Sequence, residues 1–310
     1  MPYVHVFLPI AGVSVNIVLL IGMGLAVGFL AGLFGVGGGF LLTPLLMMIG
    51  IPATVAAASD ANQIVAATTS GTYAHWRLSN VDFKMGIILI IGGLVGGTVG
   101  VQLIKMFRAT GNAGFVIKIT YVVMLGIIGI YMFQDSLRSL RPRSALKAEP
   151  QPESKSRFAR WSEGLPFPIY FEKSGVTLSV FLPLVLGAMV GVLSAMMGVG
   201  GGFIMVPVMI YLLRMPMHVV IGTNLFQELF ICINVTFMQS YYNHTVDLAI
   251  AMLLLIGSTT GAQLGARVSN RLKADHLKII LASIVLLVMV RMAVGLLIQP
   301  GTLLSYGGGH

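Results

Sequence analysis

The hexapeptide Gly35-Val36-Gly37-Gly38-Gly39-Phe40 returns as Gly198-Val199-Gly200-Gly201-Gly202-Phe203. Each copy cuts an apolar stretch otherwise long enough to cross a bilayer. Four glycines in five residues do not sustain a helical turn, because each costs about 1 kcal/mol relative to alanine in a helix interior. A chain that breaks two membrane-depth helices at matching places is building a site there.

Composition settles the class. Of the 310 residues 56% are hydrophobic and 9% charged, whereas a soluble domain carries about 25% charge. The chain reads as an all-α integral membrane protein. No Lys or Arg precedes the first apolar run, so that run is expected to stay as a span rather than be removed as a signal peptide. Cys232 stands alone in an apolar stretch, which excludes a disulfide framework and a multi-cysteine metal site. The six histidines never join Cys or acids at ligand spacing, so no metal and no cofactor are expected. The methionines read as core and lipid-facing filler.

Spans are expected at about 14–34, 54–76, 84–107 and 112–134, then again at 176–197, 217–240, 246–267 and 276–299. After each glycine break comes a piece too short to cross, 40–48 or 203–213. These pieces read as half-helices, either re-entrant or continuing a broken span. The fold expected is two homologous four-span halves, each with a glycine-broken first helix and a half-helix. The divisions are a first repeat at 1–134, a polar basic linker at 135–175, a second repeat at 176–300 and a flexible tail at 301–310. A short amphipathic element around Phe158–Trp161 is expected to rest on lipid headgroups.

The halves align beyond the glycines. Pro44 matches Pro207, Ser59-Asp60 meets Thr223-Asn224, and Gln63 meets Gln227. Asp82 matches Asp247, and Gly92, Gly96 and Gly100 match Gly257, Gly261 and Gly265. The latter are small-xxx-small stripes, as are Gly28/Gly32 and Gly187/Gly191, and they read as close helix crossings. The acids break the symmetry, since Asp60 faces Asn224 and Glu228 faces Ile64.

Net charge is +9, with eight cations between Arg138 and Lys173. If each broken segment makes one crossing, the termini and the linker share a side and the cations divide almost evenly. The linker then leans only weakly to the cytoplasm. A hairpin at each break changes that count and turns a parallel repeat into an inverted one.

Beside each break, backbone amides lack helical partners and the next half-helix points its positive end inward. Gly37, Gly38, Gly39, Gly200, Gly201 and Gly202 leave those amides uncovered, a cradle for an anion. Neither copy is followed by the Gly-Lys-Ser/Thr of a phosphate loop. Ser59 and Thr223 read as helix N-caps or hydroxyl donors. Asn62, Gln63, Asn224 and Gln227 supply amide donors without a buried charge. Asp60 and Glu228, acids at hydrophobic depth, are the candidates for proton coupling. Asp82 and Asp247 are expected to cap the following helices. His75, Trp76 and Arg77 read as an interfacial anchor, with His244 at the matching end of the second half.

The segment 32–44, its second copy at 195–207, the Ser59-Asp60 and Thr223-Asn224 pairs, and Asn80-Val81-Asp82 resemble the sulfite exporter TauE/SafE family. The resemblance covers both halves and leaves out the linker. It implies a bacterial inner-membrane transporter of sulfite, sulfoacetate or related sulfur anions. The first copy departs from the usual Gly-Thr-Ser, having Ala58-Ser59-Asp60, a change that bears on coupling and substrate choice.

The function expected is therefore a secondary transporter, an exporter, of small sulfur anions such as sulfite or organosulfonates. It is proton-coupled, with substrate held between the two breaks. The alternative is an anion channel using the same dipoles. An enzyme is excluded, because no nucleophile–base pair, paired catalytic acids or metal ligands occur at recognisable spacing. The expected partners are a small anion and the lipid bilayer, with no nucleic acid; homo-oligomerisation is left open.

Overall fold

The computed structural model describes residues 5–34, 39–140, 166–269 and 274–298. The chain there is mostly helical. A hairpin of β1 (His5–Leu8) and β2 (Val13–Asn16) leads into α1 (Ile17–Phe34), α2 (Gly39–Met48), α3 (Ala53–Arg77), α4 (Phe83–Ala109) and α5 (Ala113–Leu140). A second hairpin, β3 (Pro168–Phe171) and β4 (Val176–Ser179), leads into α6 (Phe181–Met197), α7 (Gly202–Pro207) and its π-helical continuation Val208–Leu212. Then come α8 (Met217–Met238) with a terminal π turn Gln239–Asn243, α9 (Leu248–Ser269) and α10 (Ala274–Ile298).

By length and apolarity, four helical segments among the described residues can cross a membrane: Phe83–Ala109, Ala113–Gln134, Met217–Asn243 and Leu248–Gly265. The two hairpins are additions to the sequence reading, which gave residues 14–16 and 176–179 to the first span of each half. Both are antiparallel, and both close on a glycine of positive φ, Gly12 at 66° and Gly175 at 66°. Helix α5 runs on to Leu140, and β3 begins at Pro168. The element expected at Phe158–Trp161 lies outside the described residues, as do Gly37, Gly38 and the tail.

Glycine stripes set the main crossings. A Cβ on Gly28 would stand 2.3 Å from the Ser258 carbonyl oxygen, and one on Gly96 would stand 1.9 Å from that of Ala188. Backbone thus lies on backbone, α1 against α9 and α4 against α6, where only small residues permit the approach.

The same contacts give direction. Gly24 meets Leu254 and Gly28 meets Ser258, so α1 runs parallel to α9. Asp247 and Ser258 meet Ser59 and Gln63 in the same order, so α3 runs that way too. Gly39 meets Ile64 while Thr43 meets Asp60, so α2 runs the opposite way. The half-helix therefore turns back beside α1 and does not extend the broken span. In the second half α6 and α8 share the direction of α4, through Gly92–Leu184, Gly96–Ala188, Gly86–Thr223 and Gly93–Ile231. There α7 runs back in turn, since Gly200 meets Cys232 and Gly202 meets Asn224.

Across the halves the order reverses. Gly71 meets Leu225 and Gly222 meets His75, so α3 and α8 are antiparallel. Gly126 meets Met289 and Gly129 meets Leu286, so α5 and α10 are antiparallel as well. The bundle has a β1–β2 end and a β3–β4 end, and each half enters from its own.

Candidate functional site

Two side chains mark where the half-helices meet. Phe40, on the first turn of α2, stacks on Phe203 at the start of α7, with ring centroids 4.4 Å apart and planes 8° from parallel. Both rings are buried. Sequence alignment pairs these residues, and the fold lays them on one another at the centre of the bundle.

Each half-helix start then faces two side chains of the long helix that follows. A Cβ on Gly39 would lie 2.4 Å from Ile64 Cδ1 and 3.3 Å from Asp60 Oδ2. One on Gly202 would lie 2.5 Å from Glu228 Oε2 and 2.8 Å from Asn224 Nδ2. The geometry is the same and the chemistry is exchanged. The acid stands at the first position in one half and one helical turn further on in the other. Asp60 is 0% and Glu228 1% exposed, and the stacked Phe40 and Phe203, next to Gly39 and Gly202, bring the two acids into one region.

Asp60 is held by the Thr43 hydroxyl, which donates to Oδ2 at 2.7 Å. Glu228 Oε2 accepts from Asn224 Nδ2 at 3.4 Å, and Asn224 Oδ1 accepts from Gln227 Nε2 at 3.3 Å. Asp60 Oδ1, Glu228 Oε1 and Gln227 Oε1 are buried without a protein partner. Buried polar atoms are rarely left so, and of these Asp60 lies beside Gly39 and Glu228 beside Gly200 and Gly202.

The second break is fully described. Gly198 ends α6 with φ 73° and donates to the Ser194 carbonyl oxygen. Gly200 and Gly201 follow at φ 75° and 83°, values that side chains rarely adopt. A Cβ on Gly200 would lie 2.3 Å from Glu228 Oε1 and 2.9 Å from Cys232 Sγ. The concave side of the break is thus already filled by a carboxyl group of the protein itself.

The expectation that Ser59 and Thr223 cap helices is corrected. Both lie inside their helices, because α3 and α8 begin six residues earlier, at Ala53 and Met217. Their hydroxyl oxygens accept instead from backbone of the other half: Asp247 N–H to Ser59 at 3.1 Å, and Asp82 N–H to Thr223 at 2.9 Å. Asp82 and Asp247 do cap α4 and α9, accepting from Met85 N–H at 3.1 Å and from Ala249 N–H at 3.1 Å. Each also accepts from the turn of the other half's hairpin: Asp82 from the Ser174 hydroxyl at 2.5 Å and Asp247 from Ile10 N–H at 3.3 Å.

Gln63 donates to the Ser258 hydroxyl at 2.5 Å, so the matched glutamines have different partners. Asn62 is half-buried beside them. His75 Nδ1 is buried without a partner, Trp76 is exposed, and Arg77 lies over the Tyr73 ring at 5.6 Å.

Four residues around the site escaped the sequence reading. Thr43 holds Asp60, Ser258 receives Gln63, and Ser194 keeps a buried unpartnered hydroxyl near Gly201. Tyr121, wholly buried on α5, donates its hydroxyl to the Met197 carbonyl just before the break. Thr43 had a signal, a hydroxyl next to the repeated proline of a half-helix. The others are single polar residues on apolar helices, and nothing along the chain points them inward.

The family model described as sulfite exporter TauE/SafE matches residues 20–292. The probable membrane transporter protein YjnA of Bacillus subtilis is 30% identical over 276 residues, covering 88% of this chain and 97% of that protein. The probable membrane transporter protein MJ0441 of Methanocaldococcus jannaschii is 24% identical over 279 residues, covering 86% and 91%. The sulfite exporter TauE/SafE family protein 1 of Arabidopsis thaliana is 31% identical over 103 residues, covering 33% of this chain and 23% of its own length. No solved structure matches. A polytopic helical chain matched by that model over residues 20–292, and not an enzyme, this protein belongs to the sulfite exporter TauE/SafE family of membrane transporters.

Proposed function

We propose that the chain is a proton-coupled secondary transporter of small sulfur anions, sulfite or an organosulfonate. The substrate is held where α2 and α7 begin, between two halves arranged as an inverted repeat. The observation that carries this reading is the exchanged acid: each half-helix start faces one carboxyl-bearing and one neutral position. Substrate contacts come from the backbone at Gly37–Gly39 and Gly200–Gly202, with Asn62, Gln63, Asn224 and Gln227 as side-chain donors. Ser59 and Thr223 keep the two halves in register around them.

Glu228 supplies the coupling. Its carboxyl fills the concavity that an incoming anion needs, so an ionised Glu228 excludes substrate by charge and by volume. A proton on Glu228 removes the charge and lets the side chain leave the break. Asp60, held by Thr43, serves the same purpose for the first half. The stacked Phe40–Phe203 pair divides the two approaches, and rocking of one half against the other opens them alternately.

Helix direction also orients the chain. Among the described basic residues, Lys105, Arg108, Lys118 and Arg291 belong to the β1–β2 end, while Arg77, Lys84, Arg138, Lys173, Arg214, Arg267 and Lys278 belong to the β3–β4 end. By the positive-inside tendency the linker faces the cytoplasm, and the described ends of α1 and α10 at the β1–β2 end face outward. In a bacterial inner membrane the substrate is then taken up at the β3–β4 end and released at the β1–β2 end.

Purified protein in liposomes tests the reading. Sulfite or sulfonate flux should saturate and should move protons against their gradient. Absence of flux under every imposed pH gradient sinks it, and saturation-free flux without proton movement favours the channel.

A further inference from the structure

Two adjoining cavities open at the β1–β2 end. One, of about 460 Å³, is lined by Ile51, Pro52, Ala53 and Thr54 at the start of α3, with Arg108 at the end of α4 and Lys118 on α5. The other, of about 300 Å³, is lined by Pro44 and Met48 on α2, with Lys118 and Arg291. Met47 and Lys118 line both.

Among the described residues, this end of the bundle carries four basic residues and the opposite end seven. Three of the four converge on these cavities, and among the described residues no acid lines either one. The fourth, Lys105, lies over the Tyr242 ring at 5.4 Å. Arg108 is fixed by donating to the Asn243 carbonyl oxygen in the π turn that ends α8, which leaves its other N–H groups directed elsewhere. The starts of α3 and α5, at Ala53 and Ala113, turn their positive ends toward the same space. A topology that places cations at the opposite end gathers its exceptions in one concavity.

We infer that these cavities form a vestibular binding site for a small oxyanion, held by Arg108, Lys118 and Arg291. The site is separate from the glycine breaks and joined to them along α2. That helix is the shared wall: Pro44 and Met47 line the vestibule, and Thr43, next to Pro44, holds Asp60. The inference rests on the transport reading for its purpose, as the station from which a released anion leaves. The local positive potential concentrates oxyanions at this mouth and falls off with ionic strength.

The test uses the full chain in liposomes of phosphatidylcholine alone, with sulfite presented at the β1–β2 face. Lys118→Gln combined with Arg291→Gln should raise KM about tenfold at low ionic strength. The maximal rate should change much less, the gap should close in high salt, and Lys118→Arg should behave as wild type. An unchanged KM in a folded double variant overturns the inference. A difference that appears only when phosphatidylglycerol is added assigns the site to lipid headgroups and overturns it as well. If the wild type carries no anion at all, the transport reading fails, and acetylation of Lys118 decides this site alone. Protection by sulfate, and not by chloride at equal ionic strength, upholds it; equal labelling overturns it.

Discussion

The backbone N–H of Asp82 donates to the hydroxyl of Thr223 at 2.9 Å, across the boundary between the halves. Asp247 and Ser59 repeat the bond in mirror order at 3.1 Å. All four residues are buried, so each hydroxyl satisfies a donor that has no water to turn to. Removing the acceptor leaves that donor stranded. Thr223→Val should therefore cost about 1–3 kcal/mol of stability, and Ser59→Ala a comparable amount. Thermal unfolding in detergent measures this. Variants as stable as the wild type would mean the bond is dispensable.

Gly96→Ala should be among the most damaging single-methyl changes in the chain. Its new Cβ would sit 1.9 Å from the Ala188 carbonyl oxygen, a backbone atom that cannot swing aside. The expected loss is at least about 1–3 kcal/mol from overpacking. Gly22→Ala is the control, since nothing lies within 4 Å of its Cβ. It should be neutral or gain up to about 1 kcal/mol in helix propensity. Equal melting temperatures for the two variants would contradict the close crossing of α4 on α6.

Gly200→Ala combines a strained backbone with a clash. At φ 75° the methyl costs about 1–2 kcal/mol, and it points at Glu228 Oε1, 2.3 Å away. Sulfite flux should fall in a variant that still folds. Adding Glu228→Ala should recover part of the stability, because it removes the group that the methyl strikes. No recovery would place the damage in the backbone alone.

Glu228→Gln keeps the volume of the side chain and removes its charge. Anion exchange should persist in liposomes while the response to a pH gradient disappears. Asp60→Asn should weaken that response too, with Thr43 still able to bond the amide oxygen. A pH-gradient response of wild-type size in both variants at once would remove these acids from the coupling step.

Phe203→Ala takes away one face of the stacked pair. Passive leak of sulfite should rise, without a proton gradient and with weaker saturation. A tight, fully coupled variant would show that the ring pair is packing and no barrier.

Along the chain, much of this was legible because it obeys local rules. Apolar run length marked the helices, and the glycines of 198–202 marked the turn between α6 and α7. Asp82 and Asp247 were readable as caps because capping depends on the next three residues. Ser59 and Thr223 were misread for the same reason: hydroxyls near a helix start look like caps until the start is seen six residues earlier. Their true partners lie in the other half, beyond any local signal.

By itself the sequence determined that the chain is a helical membrane protein with two similar glycine-rich segments and an unequal pair of acids. Hydrophobicity, glycine cost and internal alignment are properties of residues and their order. The tertiary structure decided how those parts face one another. Only packing could turn α2 back beside α1, run α3 against α8, and lay Phe40 on Phe203. Only that arrangement brings Asp60 and Glu228 to one region and, among the described residues, sets four cations at one end and seven at the other. Direction across a bundle is fixed by contacts between residues far apart in the chain, and no local pattern encodes it.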